Sequence, residues 1–160
     1  MPIHLGVVGS GAPDQTTDEI AERIGREVAQ AGAVLVCGGL GGVMEAACRG
    51  ASSAGGLTIG LLPGVERDAA NRWVSTAIPT GLGELRNGLI VRACEVLIAI
   101  GGEYGTLSEV AFALKLGRPV VGVLTWSLTR PDGTPEAGVV VANPEDAVTR
   151  AIQLAGSPKT

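Results

Sequence analysis

Short apolar runs alternate along the chain with stretches whose apolar side chains recur every three or four residues. Ile3–Val8 reads as a buried strand that stops at Gly9-Ser10-Gly11. Ile20, Ile24, Val28 and Ala31 follow at helical spacing, with Glu22, Arg23, Arg26 and Glu27 on the other faces. Thr16 and Glu19 have the spacing of a capping box at that helix's start. Val34–Cys37 is a second strand. Glycines 38, 39, 41 and 42 then lead into a helix over Met44–Ser53. Leu57–Leu62 is a third strand, ended by Pro63-Gly64. Trp73–Ile78 forms a short fourth, followed by the turn Pro79-Thr80-Gly81. The spacing predicts a helix over Glu84–Ala93, a fifth strand over Val96–Ile100 and a helix from Thr106 to about Leu116. Val120–Leu124 and Val139–Val141 complete the strands. Asn143 is positioned as an N-cap with Pro144 after it.

Strands too uniformly apolar to have a wet face, alternating with amphipathic helices, predict a parallel sheet covered on both sides. The right-handed crossover rule turns that pattern into an α/β fold of three layers, doubly wound, with a mainly parallel sheet. Its length of 160 residues suits one domain, 1–160. Thr125–Gly138 is the one connection rich enough in polar and turn residues to leave the pattern, as a surface loop.

Composition narrows the function classes. The net charge of -4 disfavours a general electrostatic grip on nucleic acid, but not a small anion held by local donors. No apolar run is long enough to span a bilayer, and no secretory leader is recognisable, so the expectation is a cytoplasmic protein with no membrane partner. Cys37, Cys48 and Cys94 form no CxxC pair and read as buried thiols. His4 is the sole histidine and lies inside the first strand, so no metal site is expected.

Ligands of such sheets sit beyond the carboxyl ends of the strands. Glycine-rich segments stand at those ends: Gly9-Ser10-Gly11, Gly38-Gly39-Leu40-Gly41-Gly42, Pro63-Gly64 and Gly101–Thr106. Glycine lets backbone N–H groups approach an oxyanion, and a helix start adds free donors. Either these segments bind phosphate or they merely turn the chain. Gly-Lys-Ser/Thr of a nucleotide P-loop is absent, and the first loop lacks the third glycine of a dinucleotide fingerprint.

The candidate binding residues are Gly9, Ser10, Gly38, Gly39, Gly41, Gly42, Asn71, Thr80, Gly101, Gly102, Gly105 and Thr106. Arg86 and Glu109 are the candidate catalytic pair. Each has a plain alternative. Thr106-x-x-Glu109 is itself a capping box, and Arg86 fits a solvated helix face. Asn71 and Thr80 equally fit loop hydrogen bonding. Trp73 and Trp126 fit either packing or a ligand wall, and Met44 fits packing.

Cys37-Gly38-Gly39-Leu40-Gly41-Gly42-Val43-Met44-Glu45 together with Gly101-Gly102-Glu103-Tyr104-Gly105-Thr106-Leu107-Ser108-Glu109 resembles the LOG-like superfamily, from Ile3 to about Ala155. That superfamily includes cytokinin-activating phosphoribohydrolases often misnamed lysine decarboxylases. Gly41–Ala46, Pro79-Thr80-Gly81 and Arg86-Asn87 resemble its molybdenum cofactor carrier branch. The hydrolases usually have Pro where Ile100 stands and Lys where Asn87 stands. The resemblance implies a Rossmann-like fold, a homodimer or tetramer, and a phosphorylated small molecule as partner. It leaves three functions, ordered from first to third. They are binding of a phosphorylated nucleotide-like ligand, hydrolysis of a nucleoside 5′-monophosphate with no cofactor required, and carriage of a molybdopterin-type ligand.

Overall fold

The computed structural model describes residues 1–12 and 14–156, so Pro13 of the first loop lies outside the described residues. Seven strands form one parallel sheet in the order β4-β3-β2-β1-β5-β6-β7. They are β1 (His4–Gly9), β2 (Val34–Cys37), β3 (Thr58–Leu62), β4 (Thr76–Pro79), β5 (Val96–Ile100), β6 (Val120–Val123) and β7 (Val139–Val141). The helices are α1 (Gln15–Gln30), α2 (Val43–Ser53), α3 (Asn87–Arg92), α4 (Tyr104–Lys115) and α5 (Ala147–Ala155). One cluster of buried side chains joins α1, α2 and α5 to the sheet, and a smaller one joins α3 and α4 to it. The result is the three-layer, Rossmann-like doubly wound fold. Chain order reverses between β1 and β5, the place where such sheets open a crevice.

The central strands β2 and β5 are buried at every position, which is why they read as unbroken apolar runs. The α1/α2 contact is close because Gly25 and Gly50 let the helices meet backbone to backbone. A Cβ at Gly25 would overlap the Ala47 carbonyl, and one at Gly50 the Glu22 carbonyl.

Several boundaries differ from the sequence expectation. The cap of α1 is Asp14, whose carboxylate accepts from the Thr17 N–H at 2.9 Å, instead of the Thr16–Glu19 box. Hydrogen bonds from Thr17 hold that carboxyl below its ordinary range. Trp73 precedes β4, because Asn71 turns the chain there by accepting from the Trp73 N–H at 3.0 Å. The expected helix over Glu84–Ala93 divides into a 3₁₀ turn, Gly83–Arg86, and α3. The last helix begins at Ala147, since Asn143 opens a turn closed by the Asp146 N–H. No described helix is long and apolar enough to cross a membrane.

Candidate functional site

At the carboxyl edge of the sheet lies a cavity of about 270 Å³, lined by β1, the loop after β2, the 3₁₀ turn and α4. Its charged residues include Arg86 and Glu109, which are only 8% and 5% exposed. Their burial follows from two local choices of winding. The 3₁₀ turn points Arg86 inward, on the same side as Ile90 four residues later, and leaves Leu85 80% exposed. Leu85 and Leu89 therefore face outward, and Arg86 faces in, against the solvated-face alternative.

The second choice is the start of α4. The helix begins at Tyr104, two residues before the expected cap, so Thr106 occupies its third position. Glu109 then lies in the second turn, on the buried stripe with Thr106, Val110 and Ala113. This corrects the capping-box alternative. Among the described residues no side chain caps α4, so its first-turn N–H groups have no side-chain acceptor there. Gly105 lines the cavity in that turn and has open space where a Cβ would stand. Free donors and the positive helix end suit an anion there.

The Arg86 guanidinium is held from two sides. Its Nη1 donates to Asn87 Oδ1 at 2.6 Å and its Nη2 to the Gly38 carbonyl at 3.5 Å. Asn87 in turn donates to Ser108 Oγ of α4 at 3.4 Å. Nε is buried with no acceptor among the described residues. Glycine at 38 leaves room for the guanidinium, because a Cβ there would stand 2.7 Å from Nη2 and displace it. Arg86 Nη1 lies 3.9 Å from Glu109 Oε1, at charge-pair distance but beyond a hydrogen bond. Burial pulls the arginine pKa down, against the opposing influence of Glu109. Burial also pushes the Glu109 carboxyl up to about 8, outweighing the guanidinium beside it. Burial therefore favours the neutral form of this carboxyl beside the Arg86 cation.

A model of the SLOG cluster4 family matches residues 2–154. The chain belongs to the SLOG cluster4 family. Within the LOG-like superfamily it stands with the molybdenum cofactor carrier branch. An uncharacterized protein of Archaeoglobus fulgidus is 42% identical over 150 residues, 94% of this chain and 95% of its own. The molybdenum cofactor binding protein of Rippkaea orientalis superposes with a TM-score of 0.86 and 34% identity, over 96% of this chain and 98% of that one. The molybdenum cofactor carrier protein of Chlamydomonas reinhardtii gives 0.84 and 34%, over 98% and 100%.

In this SLOG chain, five of the residues singled out from sequence line the cavity: Gly9, Gly38, Gly105, Arg86 and Glu109. Others shape its loops. Gly42 takes a φ of 60° and presses against the Ser10–Ala12 backbone, while the Ser10 carbonyl accepts from the Val43 N–H at 3.0 Å. Asn71 donates to the Leu40 carbonyl at 2.9 Å, and its own N–H bonds the Gly39 carbonyl. It braces the Gly38–Gly42 loop from outside the cavity. Thr80 donates to the Leu62 carbonyl at 2.7 Å. Gly101 receives the Thr125 hydroxyl on its carbonyl at 2.6 Å, and Gly102 packs against Thr106. Gly39, Gly41, Gly101, Gly102 and Thr106 are not among the lining residues.

Met44, read from sequence as packing, Asn87 and Leu40, named there only within motifs, and Glu84, which the sequence reading did not single out, also line the cavity. The signal for Asn87 was its place beside Arg86; the others carry none, since a cavity wall needs no particular residue type. Trp73 and Trp126 lie outside its lining; Trp126 donates to the Glu103 carbonyl at 3.3 Å and faces Tyr104. His4 is at the opposite, amino edge of the sheet, beside the Ala93 carbonyl. All three cysteines are buried free thiols, with Cys37 and Cys48 Sγ 3.5 Å apart behind the glycine loop. Among the described residues no three His, Cys, Asp or Glu side chains gather closely enough to hold a metal ion.

Proposed function

We propose that this protein binds and carries a phosphorylated, molybdopterin-type cofactor at the Arg86 cavity. The observation that carries this reading is the likeness to two molybdenum cofactor binding and carrier proteins over nearly the whole of both chains. It moves carriage from third place to first among the three functions the sequence leaves. The site's chemistry fits such a cargo. Arg86 supplies charge, and the uncapped start of α4 at Gly105 supplies N–H donors for a phosphate. The cavity is close to the lower bound of small-molecule pockets, roughly 300–1,000 Å³. A charged end would enter it and the remaining ring system would lie across its open rim.

The test is to purify the chain from cells that make the cofactor and survey it for bound pterin by mass spectrometry and by fluorescence after oxidation. Stoichiometric pterin that is lost in Arg86→Ala supports the reading. A chain that neither copurifies with pterin nor captures it on reconstitution overturns it.

A second reading, N-glycosidic hydrolysis of a nucleoside 5′-monophosphate, is favoured by one observation: Arg86 and Glu109 face the same cavity. It requires release of free base and ribose 5-phosphate from a nucleotide panel, with turnover falling strongly in Glu109→Gln. Phosphate binding without turnover excludes it.

We also propose a homodimer or a tetramer built from it. Leu82, Leu85 and Leu89 leave an apolar strip uncovered along the 3₁₀ turn and α3. Light scattering that gives a monomer mass across a broad concentration series would overturn this.

A further inference from the structure

Glu109 is an unusual wall for an anion site. It is 5% exposed, it lines the cavity, and neither of its oxygens has a hydrogen bond within the described residues. The nearest cation, Arg86 Nη1, is 3.9 Å away and already bonded to Asn87. An ionised carboxylate so placed would repel an oxyanion and lack donors to stabilise it. A neutral carboxyl has the opposite character. Its O–H is one more donor, and it faces the same space as Arg86 and Gly105.

Resting on the phosphate-binding reading above, we propose that Glu109 serves as a neutral hydrogen-bond donor to the ligand's oxyanion, so that the site takes up its anion together with a proton. Arg86 supplies the charge, Asn87 and Gly38 fix the guanidinium, and the α4 start supplies backbone donors. The O–H bond of Glu109 stays intact; binding above its ionisation range requires one proton from solvent. Burial in a site designed around a neutral acid is a known route to such a donor. The other ionisable groups facing this one are few. Glu84 is a second carboxyl side chain in the cavity wall. Cys37, beside Arg86, is pushed well up by its hydrogen bond with Cys48 and by burial. Cys94, which also interacts with Glu109, is pushed up to about 11 by burial. Neither thiol adds a charge near neutrality.

The ligand class that follows is an oxyanion with several acceptor oxygens, either free or as a monoester. Sulfate is the suitable probe, because it does not itself titrate near neutrality. Its affinity is measured by amide chemical-shift titration at constant ionic strength from about pH 6 to about pH 9.5, with circular dichroism confirming the fold at each end. Inorganic phosphate and adenosine monophosphate, compared at one pH, separate a free anion from an esterified one.

The expected result is sulfate affinity that falls about ten-fold or more between about pH 7 and about pH 9.5. In Glu109→Gln the amide N–H remains a donor at every pH, so this variant holds sulfate about ten-fold tighter than the native chain at the alkaline end. Glu109→Ala binds more weakly than Glu109→Gln throughout. Affinity that does not change with pH in the native chain, or a fall that persists in Glu109→Gln, overturns the proposal while leaving the anion site standing. Sulfate that fails to bind any of the three proteins, in a chain that still copurifies with pterin, overturns both the donor role and the anion placement but leaves carriage intact. Failure of sulfate and pterin together overturns carriage as well.

Discussion

The two faces of the sheet are built on different terms. On one, α1, α2 and α5 cover a large apolar cluster, and glycines bring α1 and α2 into backbone contact. On the other, α3 is a short helix, Leu82, Leu85 and Leu89 are left uncovered, and two ionisable side chains are buried beside a cavity. The first face uses its small residues to exclude space; the second leaves space and lines it with groups that are costly to bury. The difference assigns stability to one face and ligand chemistry to the other.

The sharpest way to break that comparison is at Gly50. Gly50→Val would drive a side chain into the Glu22 carbonyl, and backbone cannot yield as a side-chain tip does. A loss of about 3 kcal/mol or more is expected, read by denaturant unfolding. A loss under about 1 kcal/mol would mean the α1/α2 face is less tightly fitted than its geometry states.

On the other face the effects should fall on binding instead. Arg86→Met removes a buried cation whose five donors have two acceptors among the described residues, so melting temperature should hold or rise while phosphate or sulfate binding falls about 100-fold. Unfolding of this variant, with no separate binding defect, would erase the division between the faces.

Glu109 should also leave a mark on stability against pH. Its folded pKa, about 8, lies above its unfolded value, so between roughly pH 4.5 and pH 8 the folded state binds more protons. Native stability should therefore decline as pH rises through that window and level off above it. Glu109→Gln should flatten the decline, by an amount on the order of a few kcal/mol at most. Denaturant midpoints at several pH values check this; identical slopes in the two proteins would show the carboxyl to be ionised in the fold.

Smaller still is the cap of α1. Asp14→Ala removes the acceptor of the Thr17 N–H at an exposed helix end. Its melting temperature should drop, but by less than that of Gly50→Val, with anion binding intact.

The alternation of apolar runs with helical spacing was enough to read the three-layer sheet, because buried parallel strands cannot tolerate polar positions and amphipathic helices must show one apolar face. Val34–Cys37, Val96–Ile100 and Val139–Val141 were legible to the residue. The glycine segments were legible too, as places where strand ends meet helix starts. What the chain alone left open was which way Arg86 and Glu109 point. Both sit in patterns that local rules explain equally well otherwise: a polar position on a helix and a capping box. A 3₁₀ turn in place of a helical one, and a helix beginning two residues early, rotate the two side chains from surface to cavity. Neither event is encoded in spacing, because each is decided by which side chains the sheet and the neighbouring helix can accommodate. Burial then changed the chemistry itself. Removal from water raises the cost of ionising a carboxyl, so the neutral character of Glu109 belongs to its surroundings rather than to its sequence.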